Sequence, residues 1–129
     1  MSHAPIAISM GDACGIGPEI VAMGFERGAL PGGFVVGDVG LMRRAAAIVG
    51  GGVGLPVAVI ERAADALDVP PRCVPVLAAE HAPVAPDDVP FGRIAPPAGA
   101  LAAACIRQAV RLTRAGESAS VVTAPIHKE

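Results

Sequence analysis

Two short segments near opposite ends of the chain contain the residues best suited to chemistry. The first, residues 11–20, reads GDACGIGPEI and joins an apolar run to a helix-like segment. Its glycines let the backbone approach a ligand closely, and the amides at a helix start suit an anion. Asp12 can bond a ribose hydroxyl or a metal-bound group. A tight turn with a helix cap and no ligand explains the pattern equally well.

The second segment, residues 122–129, reads VTAPIHKE. A strand-like run here leads into His127 and Lys128. Lysine can pair with a phosphate, or act as an acid or base where its pKa is lowered, and histidine can shuttle protons or bind an anion. A solvated loop is the competing interpretation, and the triplet alone favours it.

Other candidate residues are better explained without a ligand. The turn does not satisfy GxGxxG, and although Asp38 lies near the distance expected for a ribose-binding acid, it is better suited to cap a helix. Cys14 has no histidine nearby in sequence to activate it, so we interpret it as a packing residue. The basic stripe on the last helix is interpreted as a solvated face rather than a phosphate patch; its members are Arg107, Arg111 and Arg114.

The elements that must position these segments follow from apolar runs and their breakers. Strands are predicted at residues 6–10, 34–37, 57–60, 73–79 and 120–124, and helices after Pro18, after Asp38 and over residues 98–115. Pro75 makes the fourth strand an edge or bulged strand, and the fifth is expected to be buried. The second helix should bury Leu41, Ala45 and Ile48. Its neighbour over 98–115 should bury Leu101, Cys105, Ala109 and Leu112.

Strands alternating with helices predict an α/β fold with a mainly parallel sheet and helices on both faces. In open parallel sheets the ligand edge is formed by the carboxyl ends of the strands. Both segments follow strands, so we expect them to form one wall of a shared cleft. Residues 80–97, with five prolines, are predicted to be an irregular surface connection.

The composition argues against several classes of protein. With a formal net charge of −2 and no Trp or Tyr, the chain has neither the excess of basic residues nor the set of aromatic rings that is typical of nucleic-acid-binding proteins. No apolar stretch approaches the roughly 20 residues of a membrane span, and no secretory signal opens the chain, so we expect a cytoplasmic protein. The three cysteines and three histidines are dispersed, which predicts free thiols and no complete metal site within the chain.

Taken together, the motifs resemble one family. IAISM followed by GDACGIGPEI is similar to the opening of the 4-hydroxythreonine-4-phosphate dehydrogenases, whose pattern there is GDPAGIGPEI, and VVTAPIHKE resembles a later landmark of the same family. Ala13 and Cys14 stand where the family usually has Pro and Ala, and His127 where Asn is frequent. The turn is also similar to that of isocitrate and isopropylmalate dehydrogenases, which belong to the same superfamily.

The resemblance implies a metal-assisted, NAD-dependent oxidation and decarboxylation of 4-phosphohydroxy-L-threonine in pyridoxal phosphate (vitamin B6) biosynthesis, by a homodimer. A divalent metal (Zn, Mg or Co) would take its ligands from beyond residue 129. We therefore expect residues 1–129 to be the N-terminal part of a longer dehydrogenase, with the second domain elsewhere, and to be inactive alone. The chain ends at Glu129 directly after a predicted core strand, which favours the same interpretation.

By the same resemblance, the cofactor side of the cleft would be lined by Asp12, Gly15, Ile16 and Gly17. Thr123 and His127 would contact the substrate, and Lys128 would be catalytic. Three alternatives remain at this point. In the first, the substrate is another four-carbon acid phosphate, such as erythronate or threonate 4-phosphate. In the second, the chain is a phosphate acyltransferase or phosphoryltransferase, and in the third it is a non-catalytic anion-binding module.

Overall fold

The computed structural model describes residues 4–12, 16–50, 54–81 and 96–124. Five strands alternate with three α-helices and one short 3-10 helix. In chain order they are β1 (Ile6–Ser9), α1 (Gly17–Glu26), β2 (Gly33–Gly37), α2 (Val39–Gly50), β3 (Val57–Ile60), the 3-10 helix (Ala63–Asp68), β4 (Val74–Ala78), α3 (Pro96–Arg114) and β5 (Ser120–Thr123).

All five strands form one parallel sheet in the order β3-β4-β2-β1-β5. The chain moves outward from β1 to β2 and β3, returns to insert β4, and then crosses to β5 on the other side of β1. Right-handed crossovers in opposite directions place their helices on opposite faces. Accordingly α1 and α2 pack against each other, whereas α3 packs on β1, β2 and β5. The predicted parallel α/β fold is confirmed.

The core is built from small and branched side chains of the central strands and the inner helix faces. Phe34, Val35 and Val36 of β2 are fully buried, as expected for a strand covered on both faces. At the start of β2, a Cβ on Gly33 would lie 2.9 Å from Ile8 Cδ1, so a larger residue here would require the Ile8 side chain to shift. Among the described residues no helix is long and apolar enough to cross a membrane.

The prediction that β4 lies at the edge or carries a bulge was wrong, because β4 pairs with β3 on one side and β2 on the other. Val74 N donates toward β3, to the Pro56 carbonyl at 2.8 Å. Alternate residues of a strand face opposite neighbours, so position 75 faces β2. The pairing of β2 with β4 begins only at Val35 and Val76, so Pro75 interrupts no ladder bond already formed.

Two smaller expectations were also wrong, and one short element was not predicted. Strand β5 is not buried: it forms the other edge of the sheet, and half of the Val122 side chain is exposed. Ile48 is also half exposed, because α2 buries the face that carries Leu41, Met42 and Ala45. The 3-10 helix was missed. By contrast, α3 buries Leu101, Cys105 and Ala109 as predicted, with Leu112 packed partly against the core.

Candidate functional site

The two motif-bearing strands lie side by side. β1 and β5 pair in parallel with Ser9 opposite Thr123, and Ala124 N donates to the Ser9 carbonyl at 3.3 Å. Both strands therefore end at the same carboxyl edge of the sheet, where Gly11 and Asp12 continue from β1. This is the edge at which open parallel sheets bind ligands. Three of the predicted site residues lie outside the described residues, namely Gly15, His127 and Lys128.

The glycine-rich turn leads directly into α1. Gly11 has a φ of 82°, a left-handed conformation that glycine adopts without strain. The first bond of the helix runs from Ile20 N to the Ile16 carbonyl at 2.9 Å, so the amides of Gly17 and Glu19 have no acceptor inside the helix. Within the described part of the chain, the N-cap residue Ile16 supplies no side-chain cap for this helix start. An anion would be stabilised by these amides and by the helix dipole.

The predicted residues of this turn differ in exposure. Asp12 is almost fully buried and has interaction partners of its own, whereas the Ile16 side chain is 61% exposed. Gly17 is buried at the first position of α1. An exposed apolar side chain beside uncapped amides offers a surface for the flat ring of a nucleotide next to a place for its phosphate.

On the neighbouring strand, Thr123 is exposed at the carboxyl end of β5. Its hydroxyl is available to a ligand at the edge where the glycine-rich turn begins. Ser120, at the amino end of the same strand, is also exposed but lies at the opposite edge of the sheet. The two hydroxyl residues thus differ in their distance from the candidate site rather than in exposure.

Asp38 follows β2 at the same edge, and its role is that of a helix cap. Its Oδ1 accepts a hydrogen bond from Leu41 N at 3.0 Å, and its carbonyl accepts from Met42 N at 3.0 Å. Side-chain acceptance at the third residue of a helix is the usual N-cap arrangement. The preference for a cap over a ribose-binding acid is confirmed.

Gln108 is a residue that the sequence analysis missed. It is buried on the inner face of α3, where its Oε1 accepts from Glu80 N at 2.7 Å and its Nε2 donates to the Ala78 carbonyl at 3.3 Å. Arg111, one turn further on, pairs with the Glu80 carboxylate. These bonds hold the chain where it leaves β4. The signal was a polar residue at the helical spacing of the predicted buried stripe.

Two further polar groups lie beneath this edge. The Ser9 hydroxyl is fully buried on β1 and has no hydrogen-bond partner among the residues that the structure describes. Burial raises the pKa of the Cys105 thiol on α3 to about 12, against a smaller opposing effect of a hydrogen bond with the backbone of Met10. Cys105 is therefore a neutral packing group at physiological pH. Cys73 and Cys105 are both free thiols, as predicted.

Metal binding requires several ligands around one point. Within the part of the chain that the structure describes, no three side chains of His, Cys, Asp or Glu come together to hold a metal ion. The described residues thus do not fit a metal centre, and no chemical step is assigned to one here.

A parallel sheet with a glycine-rich turn and an uncapped helix start at its carboxyl edge is the architecture of α/β proteins that bind phosphorylated or nucleotide ligands. Comparison with known proteins narrows this class. Residues 30–129 match the family model described as Pyridoxal phosphate biosynthetic protein PdxA. The chain belongs to this family.

Individual relatives agree with the family assignment. The chain is 35% identical over 127 residues to a 4-hydroxythreonine-4-phosphate dehydrogenase of Trichlorobacter lovleyi, covering 96% of this chain and 37% of that protein. It is 39% identical over 128 residues to a D-threonate 4-phosphate dehydrogenase of Pectobacterium atrosepticum, again covering 96% and 37%. The chain thus spans well under half the length of these relatives.

A solved structure gives the same result for the fold. The crystal structure of 4-hydroxythreonine-4-phosphate dehydrogenase from Klebsiella pneumoniae superposes with a TM-score of 0.84 at 34% identity, over 98% of this chain and 38% of that one. The superposition covers almost all of this chain.

Proposed function

We propose that these 129 residues form the N-terminal part of an NAD-dependent dehydrogenase that oxidises 4-phosphohydroxy-L-threonine, with loss of CO2, in pyridoxal phosphate biosynthesis. The observation that carries the proposal is the parallel pairing of β1 with β5, which brings the start of the glycine-rich turn and Thr123 to one edge of the sheet. Membership of the PdxA family and the dehydrogenase names of its relatives support the same activity.

In this proposal the two segments have different roles in the cleft. The amides of Gly17 and Glu19 hold a phosphate of the cofactor, and Ile16 packs against the cofactor ring system. On the β5 side, Thr123 donates to the substrate, and Lys128 pairs with its charge or transfers a proton. Oxidation moves a hydride from the alcohol carbon to NAD and the hydroxyl proton to a base, and the resulting β-keto acid then releases CO2.

The remaining parts of the enzyme are proposed to lie beyond residue 129. They comprise the ligands of a divalent metal and a second domain that closes the cleft, with two copies of the full-length chain forming a homodimer in the cytoplasm. The 129-residue chain alone would then be inactive. The kinetic comparison described below tests both the choice between NAD and NADP and the choice of substrate.

A second substrate has a specific observation in its favour. The relative named D-threonate 4-phosphate dehydrogenase is 39% identical to this chain, at least as similar as the relative named for 4-hydroxythreonine 4-phosphate. The two substrates differ in one group, an amino group against a hydroxyl at the carbon next to the carboxylate. Identity over this part of the chain does not separate them.

The test is a kinetic comparison in the full-length protein. Reduction of NAD and of NADP is followed with 4-phosphohydroxy-L-threonine, D-threonate 4-phosphate and D-erythronate 4-phosphate, before and after thorough chelation. The highest kcat/KM with the first substrate, abolished by chelation, is expected. Higher kcat/KM with either acid phosphate transfers the assignment to that substrate. If calorimetry detects binding of acyl phosphates but of neither NAD nor NADP, the dehydrogenase assignment is contradicted. That result would indicate a transferase or an anion-binding module.

A variant of Lys128 tests the placement of the second motif. Lys128→Met in the full-length enzyme should lower kcat/KM by about a hundredfold, because a charge-assisted contact with the substrate is lost. Arg107→Met is the matched control, since Arg107 is an exposed cation on α3. Equal kinetics for both variants would return Lys128 to a solvated loop.

A further inference from the structure

A cavity lies at the amino ends of β2 and β4, at the opposite edge of the sheet from the glycine-rich turn, and Pro75 is part of its lining. Gly37 and Ala78 are paired, and Ala79 N donates to the Gly37 carbonyl at 2.9 Å. Four residues earlier in each strand, the same ladder would join the amide of residue 75 to the Gly33 carbonyl. Pro75 has no N–H, so this carbonyl lacks its ladder donor.

The Gly33 carbonyl lies in apolar surroundings. The cavity has a volume of about 270 Å³, and both Gly33 and Pro75 line it. Its other walls include Phe25 at the end of α1 and Leu67 on the 3-10 helix, together with Pro70. Gly33 is buried, and its own amide already donates to the Leu30 carbonyl at 3.1 Å. A buried acceptor without a donor is costly, and a ligand that supplies the donor recovers that cost.

The polar groups around the cavity complete this picture. Cys73 lines it, and burial raises the pKa of its thiol, so this group is neutral and acts as a weakly polar wall. Arg72 is exposed at the rim, with its Nε directed to the Glu26 carbonyl at 3.3 Å. The site therefore offers the Gly33 carbonyl as a hydrogen-bond acceptor beside apolar walls.

We propose that this cavity binds a small flat ring carrying a single O–H or N–H donor, of the phenol or pyrrole class, with the donor on the Gly33 carbonyl. Flat rings pack well against proline and phenylalanine walls, and the volume admits one such ring. The site lies at the amino ends of β2 and β4, so it is separate from the candidate active site at their carboxyl ends.

The first test compares two rings of the same shape in the full-length protein. Pyrrole has an N–H donor where furan has an oxygen acceptor. By calorimetry, pyrrole is expected to bind with a dissociation constant on the order of 1 mM and furan about tenfold more weakly. Equal affinities would overturn the proposal. A crystal soaked with 4-iodophenol should show the iodine's anomalous signal within this cavity, and a signal only elsewhere would also overturn it.

The second test replaces the proline that leaves the Gly33 carbonyl without its ladder donor. Pro75→Val restores an amide that can donate to the Gly33 carbonyl, while a β-branched residue keeps the strand and the apolar wall. The affinity for pyrrole should fall about tenfold, and that for furan should fall less. Pro56→Ala, outside the cavity, should leave both affinities unchanged. Unchanged pyrrole binding in a folded Pro75→Val protein would contradict the proposed contact; should this variant fail to fold, the ring comparison and the iodine position decide alone.

Discussion

Ser9 and Thr123 stand opposite each other in adjacent parallel strands, and the main chain continues this contact through the bond from Ala124 N to the Ser9 carbonyl. The positions of two motifs more than a hundred residues apart in sequence are thereby coupled. Any shift of β5 along β1 by one residue would turn the Thr123 side chain to the other face of the sheet. The register of this strand pair therefore decides which groups of β5 face the proposed substrate.

Thr123→Val in the full-length enzyme is expected to lower kcat/KM by about tenfold with little change in the melting temperature. Valine keeps the β-branched shape but removes the hydroxyl proposed to contact the phosphorylated substrate. The measurement is steady-state kinetics together with thermal unfolding. Ser120→Ala, exposed on the same strand at the opposite edge of the sheet, should leave kcat/KM unchanged. A similar loss in both variants would indicate a general effect on β5.

Gln108→Met is expected to lower the free energy of unfolding by about 2 kcal/mol. The variant keeps the length of the side chain but leaves Glu80 N and the Ala78 carbonyl without their partner at the end of β4. Urea unfolding measures the change. Arg107→Met, on the exposed side of the same helix, should change stability by less than about 0.5 kcal/mol. If Gln108→Met is as stable as the parent protein, the two Gln108 hydrogen bonds contribute nothing to the free energy of unfolding.

Two buried serines are expected to respond oppositely to alanine. Ser118 shares a 2.7 Å hydrogen bond with the Thr113 hydroxyl, so Ser118→Ala should cost about 1 kcal/mol. The Ser9 hydroxyl has no partner within the described part of the chain, so Ser9→Ala should leave the free energy of unfolding unchanged or raise it. Chemical unfolding of both variants provides the comparison. A loss above about 1 kcal/mol for Ser9→Ala would reveal a hydrogen bond made by that hydroxyl.

Stability should also fall at alkaline pH because of Cys105. Its pKa is raised from 9.0 to about 12 in the folded chain, so the folded state keeps the thiol proton that the unfolded state releases. The contribution is complete below pH 9 and declines by roughly 1 kcal/mol per pH unit above it. Urea unfolding between pH 8 and about 11 should show a steeper decline than in Cys105→Ala. The absence of tyrosine keeps competing titrations few; parallel declines in both proteins would exclude this effect.

The sequence predicted the positions of the strands well because each is a short apolar run bounded by Gly or Pro. It failed where the outcome depends on a neighbour in space. Pro75 indicated an edge strand, but β4 lies inside the sheet. The proline is tolerated because it faces β2 one residue before the pairing of these two strands begins at Val76. The partner of a strand is decided by the crossover, which the local pattern does not contain.

The candidate site divides in the same way. Residue types and the helix-start pattern were enough to select the turn at Asp12 and to assign the cap at Asp38. Gln108 was missed because a polar residue on an otherwise apolar helix face has meaning only once its acceptor and donor are known. Those partners lie 28 and 30 residues away along the chain. Long-range hydrogen bonds of this kind cannot be read from spacing.

The strand order has a consequence for the path of folding. In the described sheet, β3 pairs only with β4, which follows it in the chain. The other side of β4 pairs with β2. During synthesis on the ribosome, β3 thus emerges before the segment that will hold it in place. The strands therefore cannot join the sheet in the order in which they are synthesised, because β3 has no strand partner until β4 lies between β3 and β2.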